Sequence, residues 1–278
     1  MSPTTQVRGV TEVERGRPVE WSVDGGPVLV RGGASDWPLV QACASGDFVA
    51  AYGDRELTAV RSSPEAADQA RREASPGWTT TLREFLTYCG TAADGEAAEA
   101  PWYVKDWTVA SETDPGAFLP ARLPHSLRSW FTRLPAEARP GWEWIYVGPR
   151  GSGSAMHVDV MMSSAWNAVA AGTKHWRFLS PAASVRAGVL PEPYLDLVAG
   201  RDDAEFECSQ EAGDLLVIPS GWAHQVVNHD TTVAVTGNFV NGGNVEFARR
   251  YLRTRGRTAW LKLLDALTHD EREWNHAA

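Results

Sequence analysis

The chain reads as mainly β with flanking helices. Short runs of apolar and β-branched residues, each stopped by glycine or proline, recur from residue 27 to residue 240. Helix signals are confined to the N-terminal half and the tail. The length of 278 residues suits one large domain, with 43% hydrophobic and 22% charged residues as in an ordinary globular chain. No internal repeat and no second domain are visible.

In order, residues 1–20 form a polar lead-in with room for one short helix or strand. Pro27 to Gly33 is an apolar strand ended by glycines, Asp47 to Tyr52 a short helix, and Leu57 to Arg61 a strand. The polar stretch 62–78 reads as a loop. Thr81-Leu82-Arg83-Glu84 is a capping box that opens a helix through Tyr88, with a stop at Gly90. Residues 92–100 are a low-complexity loop. Pro101 to Trp107 is a strand on which Tyr103 and Lys105 share a face; a core or surface role for Tyr103 stands beside a functional one. Pro124 to Leu134 suits a helix with proline at its start. Trp142 to Gly148 is a strand, and Gly151-Ser152-Gly153-Ser154 permits close backbone approach. In the tail, Asn244 caps one helix, and Trp260, Leu261, Leu263, Leu264 and Leu267 make the apolar stripe of a second.

The chemistry concentrates between Ser152 and Ser180. On a strand, His157 and Asp159 of His-Val-Asp point to one side, so imidazole and carboxylate can close on one point. A third ligand is available in His224, which follows the strand and turn Gly213-Asp-Leu-Leu-Val-Ile-Pro-Ser-Gly-Trp-Ala. Two histidines and one carboxylate on one face of a metal form the facial triad of non-haem Fe(II) oxygenases, with open positions for a bidentate cosubstrate and O₂. If the strand after Asp159 is regular, Met161, Ser163, Ala165 and Asn167 lie on the ligand face, while Met156 and Val158 face outward. Lys174, Trp176 and Phe178 share a face that the aromatics draw inward. An inward lysine needs an anion; the alternative is a side chain that snorkels to solvent.

These motifs resemble the jumonji C (JmjC) 2-oxoglutarate oxygenases: HVD, then SAWN, GTKHW, GDLLVIPSGWAHQVVN and TGNFVNG. The resemblance is densest over residues 140–245 and reaches upstream through PVLVRGGASDWPL and PWYVKDW. PWYVKDW, PSGWAHQV and NFVNGGN look like the branch of small jumonji hydroxylases acting on lysine in a translation termination factor. SAWNA and DTTVAVTGNF look equally like the branch acting on splicing proteins. The family implies a cupin-like double-stranded β-helix (a jelly roll) over about 140–242, an N-terminal α/β extension over 1–139 and C-terminal helices over 243–278. It implies Fe(II) on His157, Asp159 and His224, and 2-oxoglutarate held by Lys174 with Asn167, Ser154, Thr236 and Asn238. The charges of Fe(II), Asp159, 2-oxoglutarate and Lys174 then cancel.

The implied reaction hydroxylates an unactivated C–H of an amino-acid side chain, in a protein, a peptide or an amino-acid-derived metabolite, with a lysine-like substrate favoured. It consumes O₂ and yields succinate and CO₂. N-demethylation is the same chemistry on a methylated nitrogen. A non-catalytic cupin binding module and a cupin metalloenzyme without 2-oxoglutarate are the competing classes; an intact triad plus a lysine argues against both. Histidine ligation implies that iron affinity falls below about pH 6.5.

The remaining features bound the partners. A net charge of -9 argues against a nucleic-acid backbone. Cys43, Cys89 and Cys208 are odd in number and widely spaced, as in a reducing compartment, and neither a membrane span nor a signal peptide is evident, so the cytoplasm is expected. The tail helices pack on the barrel or build a homodimer. Loops 62–78, 92–100 and 185–205 are expected to carry substrate specificity.

Overall fold

The computed structural model describes residues 8–62, 77–92, 100–112, 114–191 and 205–274. The three loops expected to carry specificity fall mostly outside these. Among the described residues, fourteen strands form two sheets. From the N-terminus come β1 (Arg8–Gly9), β2 (Thr11–Glu14), β3 (Val28–Arg31), β4 (Glu56–Arg61), β5 (Trp78–Thr81) and β6 (Trp102–Thr108). Then follow β7 (Glu143–Gly148), β8 (Gly153–His157), β9 (Ser164–Ala171), β10 (Thr173–Leu179), β11 (Glu205–Glu211), β12 (Leu215–Ile218), β13 (Ala223–Asn228) and β14 (Thr232–Phe239). The smaller sheet has the order β1-β11-β10-β13-β8, the larger β2-β3-β12-β9-β14-β7-β6-β4-β5. From β7 onward the chain passes large, small, large, small, small, large, small, large. That winding is a double-stranded β-helix, the expected jelly roll.

The helices are α1 (Pro38–Ser45), α2 (Asp47–Tyr52), α3 (Leu82–Ala92), α4 (Pro181–Arg186), α5 (Val245–Thr254) and α6 (Thr258–Trp274). The outer face of the large sheet and α1–α3 share a core of Trp37, Leu39, Phe48, Leu82, Phe85, Ile145 and Val147. A second core fills the space between the sheets, with Trp176, Phe178, Leu216, Ile218 and Val226. A third joins α5 and α6 to Trp130, Phe131 and Val240, so the tail stripe packs on the chain's own barrel.

Several local expectations hold. The capping box of α3 is closed on both sides: Glu84 N–H donates to Thr81 Oγ1 at 3.3 Å, and Thr81 N–H to the Glu84 carboxylate at 3.2 Å. The three cysteines are free thiols. Others are corrected. Gly90 does not stop α3, which runs to Ala92; nothing crowds that position and it stays helical. Residues 124–134 are not an α-helix but two 3₁₀ turns, His125–Leu127 and Trp130–Arg133. Trp130 N–H is captured by Val240 O at 2.8 Å, so the local ladder yields to a tie with the end of β14. Asn244 precedes α5 but does not cap it with its side chain. Its amide turns inward, donating to Ser164 Oγ and Phe239 O, while its oxygen accepts from Asn241 N–H.

Candidate metal and cosubstrate site

Two glycines bring the ligand-bearing strands together. The Pro219-Ser220-Gly221 turn between β12 and β13 needs Gly221 at φ +80°, which an L side chain rarely adopts. It delivers His224 directly opposite His157 in the β13–β8 pairing. On β8, a Cβ at Gly153 would overlap the carbonyl of Val226, so only glycine lets the strands approach this closely.

The triad assembles as expected. Ligand atoms of His157, Asp159 and His224 lie within 4.8 Å of one another. His224 Nε2 is 3.9 Å from Asp159 Oδ2, and the two imidazoles are 4.3 Å apart, centroid to centroid. His157 Nδ1 lies 2.7 Å from Ala155 O, and His224 Nδ1 lies 3.1 Å from Trp222 O. A carbonyl only accepts, so each Nδ1 carries the proton and each Nε2 keeps its lone pair for a metal. Burial, reinforced by His224, holds the His157 imidazole well below its ordinary range, so it stays neutral and ready to ligate.

The strand after Asp159 is not regular. Val160–Met162 is a tight turn in which Met161 and Met162 both sit at positive φ, 54° and 55°. Parity from Asp159 therefore breaks. Met161 packs against the C-terminal helices, and Ser163 accepts a hydrogen bond from Asn238 Nδ2 at 2.8 Å. Ala165 and Asn167, on β9 proper, do face the triad.

A cavity of about 60 Å³ is lined by His157, Asp159, His224, Lys174 and Asn167, with Ser154, Thr236 and Asn238 on the wall. All eight site residues expected from the sequence thus border one space. Thr236 Oγ1 donates to Trp166 O at 2.7 Å. Lys174 is 1% exposed, so it points inward and does not snorkel. Its Nζ donates to Asn228 Oδ1 at 2.9 Å and to Tyr103 Oη at 3.2 Å. Both partners are neutral, and burial, with Lys105 adding to it, pushes the ammonium down to about 7. Asn167 Oδ1 is buried and meets no donor among the described residues. A lysine with no ion-pair partner among the described residues and an acceptor without a donor are both costly when buried. A bound dicarboxylate would answer the first, and water held in the site would answer the second, while the His/Asp/His set suits a divalent metal. The donor set therefore fits both groups.

Sequence reasoning left Tyr103 open and missed Asn228 and Tyr146. Tyr103 is 1% exposed and stacks on Tyr146 at 5.7 Å. Asn228 bridges Lys174 to Ser152, donating to Ser152 Oγ at 2.8 Å, and Ser152 Oγ donates to Pro149 O at 2.6 Å. Asn228 closes the GWAHQVVN motif, four residues after a ligand on the same strand face, which is the signal that could have found it. His175 and His229 stack on each other at 5.3 Å, away from the cavity, with His175 beside Glu207.

A family model described as a cupin-like domain matches residues 20–243. The chain belongs to the cupin-like domain family. Curated relatives of this cupin-like protein include the lysine-specific demethylase JMJ21 of Arabidopsis thaliana, 31% identical over 80% of this chain and 24% of that protein. The arginine-specific demethylase JMJ22 of the same plant is 27% identical over 82% of this chain and 44% of its own length. The 2-oxoglutarate and iron-dependent oxygenase JMJD4 of Homo sapiens is 30% identical over 65% of this chain and 47% of its own. The chain thus spans half or less of the length of these relatives. They bear out the jumonji C resemblance of its motifs. Among the described residues, no helix is long and apolar enough to cross a membrane.

Proposed function

We propose that this cupin-like protein is an Fe(II)- and 2-oxoglutarate-dependent oxygenase that hydroxylates an unactivated C–H of an amino-acid side chain. One observation carries the reading: a buried lysine with no ion-pair partner among the described residues, Lys174, lies on the wall of the cavity that the His157–Asp159–His224 triad borders. A binding module has no use for that pairing of costs. The triad would hold iron through two Nε2 atoms and a carboxylate. Lys174 and the Tyr103 hydroxyl would hold the far carboxylate of 2-oxoglutarate, with Ser154, Thr236, Asn167 and Asn238 around the rest. When bound, iron and 2-oxoglutarate supply the oxidising power toward O₂, with succinate and CO₂ as products. The chain's own part is to orient. Ala155 O and Trp222 O fix the imidazole tautomers, Asn228 aims Lys174, and the Trp176, Ile218 and Val226 walls exclude water.

N-demethylation is the second reading, favoured by the names of the two plant relatives. A lysine-like target rests on the PWYVKDW and PSGWAHQV resemblance. We also read the chain as one domain, because β2–β6 extend the same sheet that contains β7, β9, β12 and β14. A cytoplasmic location rests on the three free thiols.

The test is an anaerobic titration of Fe(II)-loaded protein with 2-oxoglutarate, watching the visible metal-to-ligand charge-transfer band. A band in the wild type, lost in His157→Ala and weakened in Lys174→Ala, is expected. No band at saturating iron and 2-oxoglutarate sinks the assignment.

A further inference from the structure

The metal-site cavity, about 60 Å³, is walled by the triad and the residues around Lys174, so any target side chain must enter from outside. Two larger concavities of about 380 Å³ each lie near it. The nearer one shares Asn238 with the metal-site cavity, and the outer one shares Ser129 and Thr132 with the nearer. Taken together, the two concavities form a groove along the shared Ser129 and Thr132 that abuts the metal cavity at Asn238. It runs from Asn238 past the Trp130–Arg133 turn to the Asn241–Gly243 loop after β14. The groove is held in shape by main-chain ties. Trp130 N–H donates to Val240 O at 2.8 Å, Asn241 Nδ2 to Ser126 O at 3.0 Å, and Trp21 Nε1 to the same Ser126 O at 2.8 Å.

Its chemistry is unlike that of the whole chain. The chain carries a net charge of -9, yet the groove is lined by Arg128, Arg133, Arg139 and His125, with Glu143 the one acid among the described lining residues. Arg128 and Arg139 are exposed. Each guanidinium is oriented by its own Nε, which donates to Leu123 O and Leu134 O respectively. Trp21 and Trp142 line the same concavities, with the largely buried Trp130 and Phe131 behind them. A free amino acid would be held by groups close around the metal cavity. A basic track that continues well beyond it suits a longer chain with acidic residues.

We propose that this groove binds an extended acidic peptide segment, so that the target is a residue within a peptide or protein flanked by Asp or Glu. What happens to that residue at the metal rests on the oxygenase reading; the docking does not.

The experiment uses the protein loaded anaerobically with Fe(II) and 2-oxoglutarate. Fluorescence anisotropy follows three labelled Gly/Ser-based peptides of equal length, carrying interspersed Glu, interspersed Lys or neither. The Glu peptide binds, and the other two do not. The double variant Arg128→Glu, Arg139→Glu weakens it about tenfold or more, as does high salt, because attractive rim charges are reversed or screened. The charge-transfer band is unchanged, since both arginines lie outside the machinery of the site, and this shows that the variant is folded. Equal binding of all three peptides, a preference for Lys, or undiminished binding by the double variant overturns the proposal. Absence of the band in the wild type fails the oxygenase reading alone and leaves the docking result to stand by itself.

Discussion

Replacing Lys174 by Met should make the protein more stable in the absence of 2-oxoglutarate and deaf to its addition. In the folded chain the ammonium is pushed down to about 7 from 10.5 by burial. In the unfolded chain the amine keeps its ordinary value. Between pH 7 and 10.5 the unfolded chain therefore holds a proton that the folded one has released. Folded stability rises with pH across that window and is lowest below it. At 1.36 kcal/mol per pH unit, the gap costs the folded state about 4–5 kcal/mol near pH 7. Methionine removes that cost and keeps most of the volume. It also strips a donor from Tyr103 Oη and Asn228 Oδ1, which returns about 1–3 kcal/mol. The variant should gain about 1–4 kcal/mol at pH 7, a rise of several degrees in Tm for a chain of this size. Thermal and urea unfolding from pH 6 to 10.5, with and without 2-oxoglutarate, measure it. The wild type should climb in stability across the window and respond to 2-oxoglutarate by mass action; the variant should do neither. A methionine variant that is less stable at pH 7 and keeps the wild-type pH slope would refute the claim of a buried, uncompensated charge. Retained stabilisation by 2-oxoglutarate would remove Lys174 from its carboxylate.

Asn228→Ala leaves Lys174 and Ser152 without their shared partner; 2-oxoglutarate affinity by calorimetry should fall about five- to a hundredfold while metal affinity is unchanged. Asn228→Asp places a carboxylate beside Nζ, so it should stabilise the ligand-free protein and compete with 2-oxoglutarate. Gly153→Ala pushes a methyl into the Val226 carbonyl and should cost about 1–3 kcal/mol in unfolding while loosening Mn(II) binding, because β8 carries His157. His157→Ala should abolish metal binding by calorimetry. On acidification, the unfolded chain protonates His157 before the folded one does, so stability falls as pH drops below the ordinary imidazole value. For the same reason His157 should keep its ligating form below pH 6.5, contrary to the simple expectation from unperturbed histidine. Mn(II) affinity as a function of pH checks this, and a loss of His157 ligation centred on 6.5 would contradict it.

The His157 and Asp159 pair was legible because strand parity is a local signal that needs no knowledge of neighbours, whereas His224 as third ligand and Lys174 as an anion partner came from the jumonji C resemblance of the motifs around them. Asn167 was reached by parity as well, although the turn at Met161 and Met162 breaks the count from Asp159. Non-glycine residues at positive φ are disfavoured on propensity, so nothing in the sequence announces them. Residues 124–134 failed for a different reason. A proline start and apolar spacing describe a helix, but a single long-range bond from Trp130 to Val240 outbids the local ladder. Asn228 and Tyr103 meet Lys174 only through the pairing of β13 with β10 and the approach of β6, which a linear reading does not supply. The groove is illegible in the same sense, since its walls come from residues near 21, 130, 140 and 240.

The pairing of β1 with β11 joins Arg8 to Phe206, and β3 pairs with β12 through Val28 and Val217. Strands near residues 8 and 28 thus wait on partners made about 190 to 200 residues later. During translation the early segments leave the ribosome with open hydrogen-bonding edges, which invite wrong pairings. The third ligand, His224, emerges later still, so a nascent chain has no means of holding the metal through this triad. On the proposed reading, iron capture would therefore wait until His224 has been made, when most of the barrel strands are already out.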